Sequence, residues 1–170
     1  MTHLLVLGTN HKLQCGHKSI GPESVKRFER ELQQLCAKHS IRRIAEEMCQ
    51  DGLAFHEVSA TVAGRVATEL CLEHQHVDLN HSERSVLCID DSPVLTTVMH
   101  CSPSDGGACF RDAMNIIADG VRERVWVSRL LTMKSWPCLF VCGADHVQPV
   151  RRLWASIGLE ATVACRDYVA

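Results

Sequence analysis

No apolar run in this chain approaches the ~20 residues that cross a bilayer, so no transmembrane helix and no membrane partner are expected. Basic excess is missing too. Eighteen Lys and Arg stand against twenty Asp and Glu, a net charge of −2 with neutral histidines. Nucleic-acid binding therefore has no electrostatic support. The patterns G-x-x-x-x-G-K-[ST] and G-x-G-x-x-G do not occur, so ATP-type phosphoryl transfer and dinucleotide binding lack their usual marks. Gly106-Gly107 is only a weak substitute for a phosphate cradle. Ten cysteines include no C-x-x-C pair, against a zinc ribbon or thioredoxin-type site. No internal repeat, linker or low-complexity segment divides the chain. The first apolar stretch lacks a basic flank and a small-residue cleavage site, and reads as a strand instead of a signal peptide.

What remains is 170 residues with 46% apolar and 22% charged residues, enough for one domain (1–170) with a sizeable core. Cys36, Cys71, Cys88, Cys109, Cys138 and Cys165 lie in or beside apolar runs and read as reduced, small core residues. Cytoplasmic localisation is the matching expectation.

Strand and helix signals alternate. Residues 3–8 read as a strand. Gly21-Pro22-Glu23 opens a helix with Val25, Phe28, Leu32, Leu35 and Cys36 at helical spacing. Residues 41–46 read as a second strand. Ser59 or Thr61 caps a helix carrying Val62, Val66 and Leu70, and residues 72–77 form a third strand. Ser82-Glu83-Arg84 starts a helical turn. Residues 90–107 read as an irregular loop or lid. A helix over 108–133 follows, with an apolar stripe of Phe110, Met114, Ile117, Val121, Val125 and Leu130 or Leu131. Residues 138–142 give strand four, 147–157 a helix stopped at Gly158, and 159–165 strand five. This order predicts a single-domain α/β fold: a mostly parallel sheet of about five strands with helices on both faces.

In such a sheet the carboxyl ends of the strands share one rim, where open α/β folds bind ligands. Two strands run into a glycine and, three residues on, a histidine: Gly8-Thr9-Asn10-His11 and Gly143-Ala144-Asp145-His146. Glu46 and Glu47 end the second strand, and His74, His76 and Asp78 lie at or near the end of the third. Imidazole and carboxylate are ligands of zinc, manganese, cobalt and iron. His11, His146 and Glu46 or Glu47 suit a divalent metal ion such as Zn, Mn or Co. Asp145 or the other glutamate suits a general base or an outer partner for an imidazole. Adjacent strand residues point to opposite faces, so Glu46 and Glu47 share the site only if the strand has already ended.

Arg111, Asn115, Arg122, Trp126 and Arg129 recur near helical spacing. They form either a clamp for an anionic group or a solvated face paired with Glu123 or Asp119; Arg111, at the helix start, is the preferred clamp. Cys142, three residues before Asp145, is a lesser candidate nucleophile.

The paired G-x-x-H turns, Glu46-Glu47 after strand two, the Arg111 helix and the closing Val141-Cys142-Gly143-Ala144-Asp145-His146 resemble the TraB/TIKI group, itself similar to ChaN haem-binding proteins and erythromycin esterases. The likeness lies mainly in the two ends of the chain and the order between them. It implies His11 and His146 as the site pair, Glu46 or Glu47 as acidic partner and Arg111 as the family's arginine. TIKI proteins are associated with metal-dependent proteolysis, ChaN-like proteins with haem, and the esterases with water-activated opening of a macrolactone.

Two functions fit. One is a metal-dependent hydrolase acting through an activated water on a small polar or anionic molecule or a peptide. The other is a non-catalytic binding or sensor domain for a nucleotide, haem or another anion. A homo-oligomer is compatible with either.

Overall fold

The computed structural model describes residues 3–89 and 106–170, without the side chains of 106–114. Its centre is β1 (Leu4–Thr9), buried along its whole length. β1 pairs with β4 (Cys138–Gly143) on one side and β5 (Ala161–Cys165) on the other. β4 pairs in turn with β2 (Arg43–Glu46), and β2 with β3 (Glu73–His76). All pairs are parallel and the order is β3-β2-β4-β1-β5. The apolar runs of β1 and β4 follow from this, because a central parallel strand is covered on both faces.

Side chains alternate between two cores. On one face Leu5, Leu7, Ile44, Leu139 and Val141 meet Phe28 and Leu32 of α2 (Pro22–Lys38) and Val62 and Val66 of α4 (Val62–Glu69). On the other, Leu4, Val6, Ala45, Phe140 and Cys142 meet Trp126 and Leu130 of α6 (Gly106–Leu131) and Val150 and Trp154 of α7 (Val147–Ser156). Thr61 caps α4, its hydroxyl oxygen accepting from Gly64 N. Pro22 and Glu23 stand in the first turn of α2, where a missing N–H and a negative charge are both favourable.

Three short helices were not anticipated: α1 (His11–Cys15), capped by Asn10, α3 (Gln50–Phe55), and the 3-10 turn Ala144–His146. The expected turn at Ser82-Glu83-Arg84 is α5 (His81–Val86), opened by a capping box of Asn80 and Glu83. The apolar stripe of α6 also differs from its expected positions. Ile116 and Ile117 are exposed, while Trp126, Val127 and Leu130 are buried. Among the described side chains of this helix, Trp126, Val127 and Leu130 pack in the core against the sheet, so the pattern follows that contact. The expected loop over 90–107 lies outside the described residues as far as 105, and Gly106 and Gly107 open α6.

Connection order creates a crevice. From β1 the chain passes through α2 to β2, two places along the sheet. From β4 it passes through α7 to β5, two places the other way and on the opposite face. Adjacent strands whose exits diverge leave an opening at their carboxyl ends. His11 and His146 stand at those two exits.

Candidate functional site

Gly8 and Gly143 belong to the strands that deliver the histidines, and both are needed for space. A Cβ on Gly8 would lie 1.9 Å from the Arg166 carbonyl oxygen. One on Gly143 would lie 3.3 Å from both Glu47 Oε2 and His146 Cδ2. Close approach, and no left-handed turn, is therefore why glycine stands before each histidine: Gly143 has φ −59° and ψ 145°.

The two glutamates go to different faces. Glu46, the last residue of β2, turns towards α4: the Thr61 hydroxyl donates to its Oε1, and His74 Nε2 lies 2.5 Å away. Glu47 continues the ladder by one bond, its N–H donating to the Val141 carbonyl at 2.9 Å. Its carboxylate lies under α6, 1% exposed. There Gly143 N–H donates to Oε2 at 2.7 Å and Arg122 Nη2 to Oε1 at 2.7 Å. His11 Nε2 and His146 Nε2 lie 3.7 and 3.5 Å from the same Oε1. The two imidazoles from opposite ends of the chain therefore meet on one carboxylate.

Each ring is held from behind. His146 Nδ1 donates to Glu123 Oε1 at 2.8 Å. His11 Nδ1 donates to Gln14 Oε1 at 2.9 Å, and the buried Gln14 amide is turned that way by donating to the Val141 carbonyl at 3.4 Å. With Nδ1 carrying the proton, a neutral imidazole presents a lone pair at Nε2. Both Nε2 atoms face the Glu47 carboxylate. Burial alone would lower the His146 pKa, but the bond to Glu123 and the charge of Glu47 outweigh it and raise the value.

Arg122 ties this group to Asp78, donating to both carboxylate oxygens at 3.1 and 2.9 Å. Trp126 Nε1 and Arg84 Nη2 donate to Asp78 as well, at 2.9 and 2.6 Å. Burial would raise the Asp78 carboxyl, yet Arg122, Arg84 and Trp126 together hold it below its ordinary value. Arg122 also lies over the Trp126 ring, 4.9 Å from its centroid, within cation–π range. A cavity of about 460 Å³ opens beside these groups, lined among others by His11, Glu47, His56, Asp78, Arg84 and Arg122.

Several expectations need correction. In the set His11, Glu46 and His146, the carboxylate between the imidazoles is Glu47; Glu46 is drawn to the other face by strand alternation. Asp145 is exposed and has no hydrogen bond or ion pair among the described residues, and Glu123 is the carboxylate behind His146. The Arg111 side chain lies outside the described residues, and Arg122 reaches the rim. Cys142 is 0% exposed within the core. Burial pushes its thiol well above the ordinary value, so it does not serve as a ready nucleophile.

Arg122 had a signal in the sequence. Arg122 precedes Trp126 by one helical turn, so the two share a face. A large aromatic at that spacing marks the side of α6 that meets the sheet.

A second donor group lies on the opposite face. Ligand atoms of Glu46, His74 and His76 all come within 4.8 Å of one another, and among the described residues this group could hold a metal ion. No described helix is long and apolar enough to cross a membrane. No protein-family model matches the chain, and no significant match occurs among curated proteins or solved structures.

Proposed function

We propose that the rim formed by β1, β2 and β4 is a hydrolytic site, in which Glu47 takes the proton of a water held between His11 and His146. One observation carries this reading: two imidazole Nε2 atoms, each oriented through its Nδ1, converge on one oxygen of a buried carboxylate beside an open cavity. Arg122 already holds that oxygen, and a polarised water beside it would engage the two rings.

By chemistry alone, the donors suit a divalent ion of the zinc class. Two neutral imidazoles and a carboxylate are its usual ligands, and ligands about 2.1 Å from a tetrahedral ion stand about 3.4 Å apart. Glu47 Oε1 stands 3.5 and 3.7 Å from the two Nε2 atoms, but the two nitrogens and that oxygen do not all lie within 4.8 Å of one another, so the rings would have to close in to share an ion. Bound there, such an ion would lower the pKa of water and polarise the bond to be cleaved.

The chain's own residues do the rest. Arg122 and Gly143 N–H fix the direction of the Glu47 carboxylate. Glu123 and Gln14 fix the two rings. Glu47, having taken that proton, returns it to the leaving group. His11 and His56 give the cavity an imidazole-rich wall, which suits a small polar or anionic substrate. The TraB/TIKI resemblance supports the choice of His11 and His146.

The test is turnover of chromogenic carboxylic esters, phosphate esters and anilides by untagged protein supplied with Zn²⁺, Mn²⁺ or Co²⁺. Glu47→Gln is expected to lower turnover by about 10²–10⁴, the usual worth of a general base, with the circular dichroism spectrum unchanged. Retained turnover in Glu47→Gln contradicts the reading. Inert protein that binds inorganic phosphate equally well with Glu47→Gln supports a non-catalytic binding domain instead.

A further inference from the structure

Glu46 has no solvent exposure. Its Oε1 takes the Thr61 hydroxyl and His74 Nε2, but its buried Oε2 has no hydrogen-bond partner. His76 Nε2, 4.0 Å from Glu46 Oε1, is also buried without a partner. Two orphaned polar atoms in one small cluster are unusual, because each forfeits its hydration with no return. The rim site uses neither atom.

The backbone builds this cluster deliberately. His74 and His76 are two apart on β3 and so share a face. In the parallel register His76 stands opposite Glu46, and His74 opposite Ile44. Ile44 belongs to the core beneath α2 and α4, which places the trio on the α4 side. α4 leaves room for it: a Cβ on Gly64 would lie 3.1 Å from His74 Cε1. The two rings meet edge to face at 4.9 Å, both partly open to solvent.

We infer that Glu46, His74 and His76 form a binding site for a divalent transition-metal ion of the zinc class, separate from the rim. Two imidazole nitrogens and one carboxylate oxygen select zinc-like ions over magnesium or calcium, which prefer all-oxygen shells. The ion takes the place of the proton between His74 Nε2 and Glu46, and that proton leaves to solvent. The free oxygen of Glu46 and the free nitrogen of His76 become ligands. Thr61 orients the carboxylate from behind, as outer partners of metal ligands do.

Calorimetric titration of untagged, chelator-stripped protein with ZnCl₂ tests the site, with MgCl₂ as control. The double variant His11→Ala/His146→Ala isolates it from the rim and is expected to keep one zinc ion per chain. Adding His74→Ala/His76→Ala should weaken that binding by more than the roughly 10–100-fold that loss of an outer partner costs. The single variant His76→Gln guards against misfolding, since it removes a donor whose Nε2 has no bond to lose; the same direction of change is expected there.

Zinc binding unaffected by His76→Gln and by the double alanine variant overturns the inference and leaves a hydrogen-bonded cluster only. Binding abolished by His11→Ala/His146→Ala alone also overturns it, while favouring metal at the rim. Zinc retained in that background, with no turnover by the wild type, upholds the inference and counts against the hydrolytic reading.

Discussion

Replacing Arg122 by methionine keeps the aliphatic stem and removes the guanidinium that joins two buried carboxylates. Arg122 is 15% exposed, and its partners Glu47 and Asp78 are 1% and 5% exposed. Both partners retain something in Arg122→Met. Glu47 keeps the Gly143 N–H, and Asp78 keeps Arg84 and Trp126. The loss therefore resembles one broken buried pair, for which about 3–5 kcal/mol is typical. The ion pair to Asp119 at 3.0 Å involves a carboxylate 44% exposed and adds about 0–1 kcal/mol, and the contact with the Trp126 ring is lost as well. At about 2–4 °C per kcal/mol for a domain of this size, the melting temperature should fall by roughly 6–24 °C.

Thermal and urea unfolding followed by circular dichroism measure this loss. A cycle with Asp78→Asn sharpens it, because residues in one network couple by about 0.5–3 kcal/mol. A loss below about 1 kcal/mol, as for a solvated ion pair, would refute the buried network. So would additivity of the two substitutions within about 0.5 kcal/mol, the behaviour of independent sites.

Acid unfolding should show Asp78. Its native pKa is lowered from 3.8, so the unfolded chain takes up the proton first as pH falls. Its contribution is complete above 3.8 and is lost as pH drops through the lowered native value. Asp78→Asn should flatten that part of the stability curve. Gly8→Ala should destabilise by at least about 1–3 kcal/mol, the range for overpacking, because the new Cβ meets the Arg166 backbone. Gly120→Ala should stabilise by about 0.8–1.0 kcal/mol, because within α6 only the end of the flexible Arg124 side chain stands in the way. Urea titrations check both glycines.

Much of the fold was legible in the sequence, for identifiable reasons. Central parallel strands must be apolar on both faces, so β1 and β4 stood out. Pro22, Thr61 and Gly158 marked helix ends through their own backbone preferences. β3, with its His-Gln-His centre, was a weaker signal because it sits at the sheet edge.

At the site, His11 and His146 were legible because each follows a buried strand. The choice between Glu46 and Glu47 was not, since a shift of one residue in the strand end exchanges their faces. Gln14 and Glu123 were hidden for a different reason. They act on the imidazoles through short helices and a helix from a distant segment, and no local pattern encodes that geometry. The Arg111 side chain lies outside the described residues, while the packing of Trp126 on the sheet places Arg122 over the rim.

The central claim is that His11 and His146 present unprotonated Nε2 atoms to one shared point. Long-range ¹H–¹⁵N NMR of the two rings in metal-free protein, at alkaline pH, reads this directly. Both are expected as Nδ1–H tautomers, and both Nε2 resonances should move together when Zn²⁺ is added. A proton on Nε2 of either ring, or Zn²⁺ shifts confined to His74 and His76, would contradict it.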